Sequence, residues 1–104
     1  MKKQIEKLVR DHIPTICETC GKTTETSILN GEAYTTALKE KLREEVREYL
    51  ADNSLEELAD IMEVIEALAE NQGASLREVM EIKQQKQEKN GAFRKRIYLV
   101  SVEE

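Results

Sequence analysis

Two serines, Ser54 and Ser75, are each followed three residues later by a glutamate, Glu57 and Glu78, and then by aliphatic residues at three- and four-residue steps. A serine hydroxyl that accepts from free backbone N–H groups, with a glutamate at the third helical position, marks a helix start, and the period that follows marks the face that seeks burial. Leu58, Ile61, Met62, Ile65, Leu68 and Ala69, ending at Gln72-Gly73, therefore predict one helix. Leu76, Val79, Met80 and Ile82 predict another, which turns polar and basic towards Lys89-Asn90-Gly91. A longer helix precedes both, from Glu32 to Asp52-Asn53, with Leu38, Leu42, Val46, Tyr49 and Leu50 on its apolar side.

Outside these helices the signals are shorter. From Lys3 to Thr19 basic and aliphatic residues alternate, and Pro14 is suited to start or break a helix, which predicts short helical pieces. Thr23–Leu29 is rich in β-branched residues and meets the turn signal Asn30-Gly31, and Arg96–Val102 has the composition of a strand, so the two are expected to pair. The expected fold is mainly α, a single domain over residues 1–104 with about four helices and a short two-stranded β accessory. A chain of 104 residues with three Tyr, one Phe and no Trp buries a thin core, so the bundle is expected to be completed by a homodimer or homotetramer.

Charge narrows the partners. Sixteen Lys and Arg against 21 Asp and Glu give a formal net charge of -5, which repels phosphate backbones and argues against a nucleic-acid polymer while leaving room for a small phosphorylated ligand. No apolar run approaches the roughly 18 residues of a membrane span. Met1-Lys2-Lys3 leads into Gln4-Ile5-Glu6, unlike the apolar core of a signal peptide, so a cytoplasmic location is expected.

Projected as helices, the acidic residues separate into two groups. Glu56, Glu63, Glu66 and Glu70 fall opposite Leu58, Ile61 and Ile65, where solvated charge belongs. Glu45 instead falls within the arc of Leu38, Leu42 and Tyr49, Glu48 lies at its edge beside Lys41, and Glu57 and Asp60 flank the apolar arc of the next helix. A short turn between antiparallel helices would bring these four together, and carboxylates crowded at a half-buried site resist ionisation unless a cation neutralises them. Mg2+ or Mn2+ suits such an all-oxygen set. The alternative is a pair of solvated acidic helices in which Glu57 merely completes the cap begun by Ser54.

Lys41-Leu42-Arg43-Glu44-Glu45-Val46-Arg47-Glu48, followed by Glu57-Leu58-Ala59-Asp60, resembles the EExxE and ExxD signature of the MazG-like all-α nucleoside triphosphate pyrophosphohydrolases. Lys7-Leu8-Val9-Arg10-Asp11-His12-Ile13-Pro14 and Lys89-Asn90-Gly91-Ala92-Phe93 resemble the opening and the tail of the phosphoribosyl-ATP pyrophosphohydrolase-like subgroup, although Asn90 and Ala92 stand where that tail has Arg and a second Gly. The gap from Glu48 to Glu57 is also shorter than in typical members. The resemblance implies Mg2+-dependent hydrolysis of a nucleoside triphosphate, or a related nucleotide, between the α- and β-phosphates, as in cleansing of the nucleotide pool. It implies metal ligands at Glu45, Glu48, Glu57 and Asp60, and water activation by Glu44 or by a ligand such as Glu45. Lys41, Lys83, Lys86, Arg94 and Arg96 become candidate substrate-binding residues, with a solvated basic segment as the alternative for the last four. For Arg10 and Asp11, contact with a ligand and pairing with each other both stay open. The rival functions are a non-catalytic helical module that binds nucleotide or a partner, and a phosphoribosyl-ATP pyrophosphohydrolase.

Cys17-Glu18-Thr19-Cys20 has the shape of half a zinc knuckle, and no second such pair exists, so reduced thiols are expected. His12, without a thiol or acid in a recognised spacing, is expected to be a partly exposed residue of the opening helix.

Overall fold

The computed structural model describes all 104 residues. It contains four helices and no strand: α1 (Ile13–Thr19), α2 (Gly31–Asp52), α3 (Leu55–Asn71) and α4 (Leu76–Asn90). The mainly α expectation holds, and each serine does what its position requires. Ser54 Oγ accepts from the N–H of Glu57 at 3.2 Å and Ser75 Oγ from that of Glu78 at 3.2 Å.

Between α2 and α3 the chain reverses in two residues. Asn53 takes up the left-handed conformation at φ 56° and donates its N–H to the Tyr49 carbonyl at 2.7 Å, after which Ser54 opens α3. Asparagine adopts this conformation more readily than most residues, which allows so tight a reversal. The helices then run antiparallel along their length, and at the far end Asn71 Nδ2 donates to Thr35 Oγ1 at 2.8 Å. α3 stops where Gly73, at φ 80°, lets the N–H of Ala74 reach back to the Ala69 carbonyl at 2.9 Å, the cross-turn bond that closes a helix C-terminus.

The core sits in the α2–α3 seam. Leu38, Val64 and Ala69 are its buried apolar residues, and the fourth buried residue is the acid Glu45. α4 packs more sparsely against α3, and the backbone of α1 approaches none of the other helices.

Two expectations need correction. Residues 23–29 and 96–102 form no strand. A two-stranded ribbon is marginal unless an apolar surface supports it, and here Ile28, Ile97, Tyr98, Leu99 and Val100 all face solvent. Helix in the N-terminal segment is confined to α1, which Pro14 opens. The residues before it form an irregular arm in which Glu6 has φ 52°, held to α2 and α3 by side-chain ion pairs. No helix is long and apolar enough to cross a membrane.

Candidate metal centre

The tight α2–α3 reversal sets the last turns of α2 against the first turns of α3, and with them the two acidic motifs. One carboxylate oxygen from each of Glu45, Glu57 and Asp60 lies within 4.8 Å of the other two. Glu45 is the innermost, 6% exposed, because its place in the i, i+3, i+4 series puts it on the same side as Leu38. Lys41, one turn earlier, reaches Glu45 Oε1 at 3.4 Å, while Glu45 Oε2 is covered and has no hydrogen-bond partner.

Glu57 is the second anomaly. Its backbone N–H satisfies the cap, but its Oε2 is covered and unpartnered, the carboxylate facing the other acids. Capping therefore accounts for the backbone of Glu57 and leaves its side chain unexplained. Burial of the carboxylate pushes its pKa from the ordinary 4.5 to about 7, reinforced by the charge of Glu48 and by those of Glu45 and Asp60. Glu48 thus faces Glu57 from α2 while remaining exposed and outside the closest three.

A buried acceptor left without a donor costs free energy, and two within one cluster of acids cost more. Hard divalent cations remove that cost by taking several carboxylate oxygens at once. The donor set, oxygen only and with two orphaned atoms, fits Mg2+ or Mn2+.

Cations of the chain itself surround the cluster. Arg10 Nη2 donates to Asp60 Oδ1 at 2.6 Å, and Nη1 lies 3.6 Å from Glu63 Oε1. Lys7 Nζ donates to Glu44 Oε1 at 2.6 Å, and Lys41 Nζ to Glu44 Oε2 at 3.1 Å. The hydrogen bond from Lys7 is the main reason that the Glu44 carboxyl titrates below its ordinary range. In return, the hydrogen bond to Glu44 raises Lys7, and that to Asp60 raises Arg10. Arg10 pairs with Asp60 and not with its neighbour Asp11, a contact across 50 residues of chain that no local spacing could reveal.

The sequence-derived residues are thus brought together unequally. Glu44, Glu45, Glu57, Asp60 and Lys41 meet at one end of the α2–α3 pair, with Glu48 beside them. Lys83 and Lys86 stand exposed on α4, Arg94 and Arg96 are exposed beyond it, and none of the four makes an ion pair with the acids. Cys17 and Cys20 are free thiols near the end of α1, the first half-buried and the second exposed, and His12 is exposed at the start of that helix. In comparisons with models of protein families, with curated proteins and with solved structures, nothing matches this chain.

Proposed function

We propose that this chain is a Mg2+-dependent nucleotide pyrophosphohydrolase, hydrolysing a nucleoside triphosphate between the α- and β-phosphates, and that it works as a homo-oligomer. The observation that carries the reading is Glu45: a buried carboxylate with one oxygen unpartnered, grouped with Glu57 and Asp60 across the helix pair. The EExxE and ExxD spacing that prompted the expectation supplies these three residues in order.

Glu45, Glu57 and Asp60 would hold the ion, with the charge of Glu48 bearing on Glu57 beside them. When bound, Mg2+ supplies positive charge beside the phosphoryl oxygens and a scaffold for the attacking water. Phosphoryl transfer depends chiefly on positioning and charge stabilisation, so the protein's task is to place acids and bases around that centre. Glu44, held ionised by Lys7 and Lys41, serves to orient the water. A catalytic base needs to be ionised at the working pH and within hydrogen-bond reach of water. Lys41 sits between Glu44 and Glu45 and places positive charge at the edge of the acidic cluster, where a phosphate would lie.

The test is pyrophosphate release from a panel of ribo- and deoxynucleoside triphosphates with Mg2+, with Mn2+ and with chelator. Release that needs the ion and falls at least a hundredfold in Asp60→Asn and Glu45→Gln, with helical content retained, is the expected result. Silence across the panel from folded wild-type protein would favour the non-catalytic nucleotide-binding module.

A further inference from the structure

Resting on the cation reading above, we propose that Arg10 of the N-terminal arm is an exchangeable counter-ion: it neutralises Asp60 when no divalent ion is held, and joins Lys7 in meeting the ligand's phosphate oxygens when one is. Three observations lead there. The arm has no helix between Met1 and Arg10, and its closest ion pairs with the helices are those of Lys7 and Arg10, so these side chains position it. Arg10 bonds Asp60, one of the three acids grouped for a cation, and therefore competes for that carboxylate. Both basic side chains are about half exposed, 47% for Lys7 and 52% for Arg10, so they can turn outward without opening the core.

The space for the second state lies alongside. Between the arm and α2 runs an open groove of about 400 Å3, in which Lys7, Lys41 and Arg47 stand among Glu6, Glu40 and Glu44. Lys7 on the arm and Lys41 on α2 both pair with Glu44, while Arg47 on α2 has no ion-pair partner, so the groove offers one uncommitted cation and two shared ones. A divalent ion on Asp60 would release Arg10 beside this groove, adding a further cation to those that a polyphosphate could meet. The planar guanidinium of Arg10 can meet two oxygens of such a ligand, as it now spans Asp60 and Glu63. The exchange gives an order of events: the ion enters first and frees Arg10 to receive the phosphates.

Calorimetry with MnCl2, and then with inorganic tripolyphosphate in saturating Mg2+, separates the possibilities without any turnover. Arg10→Ala should bind Mn2+ about two- to fivefold more tightly than wild type, the worth of one partly exposed ion pair removed from competition. The same variant, and Lys7→Ala, should bind the Mg2+–tripolyphosphate complex about tenfold more weakly, with Arg10→Lys in between because it keeps the charge and loses the fork. Arg10 lies outside every helix, so helical circular dichroism should not change. Equal Mn2+ affinity in Arg10→Ala and wild type, or undiminished tripolyphosphate binding in the alanine variants, would overturn the exchange. Failure of the underlying cation reading has a different signature: no Mn2+ binding in wild type, Arg10→Ala or Glu45→Gln alike. Mn2+ binding lost in Glu45→Gln but strengthened in Arg10→Ala supports both.

Discussion

Among the acids of the cluster, Glu57 stands apart. Its carboxyl binds a proton more tightly in the folded chain, with a pKa of about 7, than at the ordinary value of 4.5 expected after unfolding. Stability rises with pH only where the unfolded state holds more protons, and here the folded state does. The contribution of Glu57 is therefore fully present below about pH 4.5 and is lost as pH rises through about 7. Urea denaturation of the metal-free protein at pH 5 and pH 8 should show this loss, and Glu57→Gln should remove most of it. Added Mg2+ should stabilise the wild type most at the higher pH, where the acids are charged, following the linkage of any ligand that binds the folded state alone. That Glu45 would be buried was legible from its place between Leu38, Leu42 and Tyr49, because helical period alone decides it. That Arg10 would meet Asp60 was not, since 50 residues separate them and an irregular arm carries no period.

At the scale of elements, the caps account for how closely the helices followed expectation. Ser54 and Ser75 begin α3 and α4, Asn53 and Gly73 end the helices before them, and α2 starts at Gly31, one residue from the expected Glu32. Such boundaries were legible because one or two residues settle each of them. Ser54→Ala removes the acceptor for the Glu57 N–H, at a cost of about 1 kcal/mol, and should lower the melting temperature by several degrees. It also loosens the turn that carries Glu57, so Mn2+ affinity should fall with it, whereas Ser75→Ala should cost similar stability and leave Mn2+ affinity alone. The expected strands failed for a reason that composition does not encode. β-branched residues prefer a pleated, half-buried surface, and neither Thr23–Leu29 nor Arg96–Val102 has such a surface in this chain.

The whole molecule is loosely built. Its radius of gyration is 18.3 Å, against about 13 Å for a compact chain of this length, and four of its 104 residues are buried. Leu50, Leu55 and Met62 face solvent along the α2–α3 pair, with Phe93 and the apolar tail beyond α4. Apolar surface on this scale is usually covered by a partner, and a second copy of the chain is the expected one. Light scattering should give a mass at least twice the 12.0 kDa of one chain, and Leu55→Glu with Met62→Glu should shift it towards the monomer.

The two-residue reversal at Asn53 also bears on how quickly this protein becomes itself. Each helix packs chiefly on its neighbour in sequence, α2 on α3 and α3 on α4, an arrangement of local partners that favours rapid folding because little loop entropy is spent before packing is gained. Closing that first hairpin is the same act that brings Glu45 against Glu57 and Asp60. Acid repulsion is thus met in the same step as hairpin closure, which a neutralising ion would favour as well as hold.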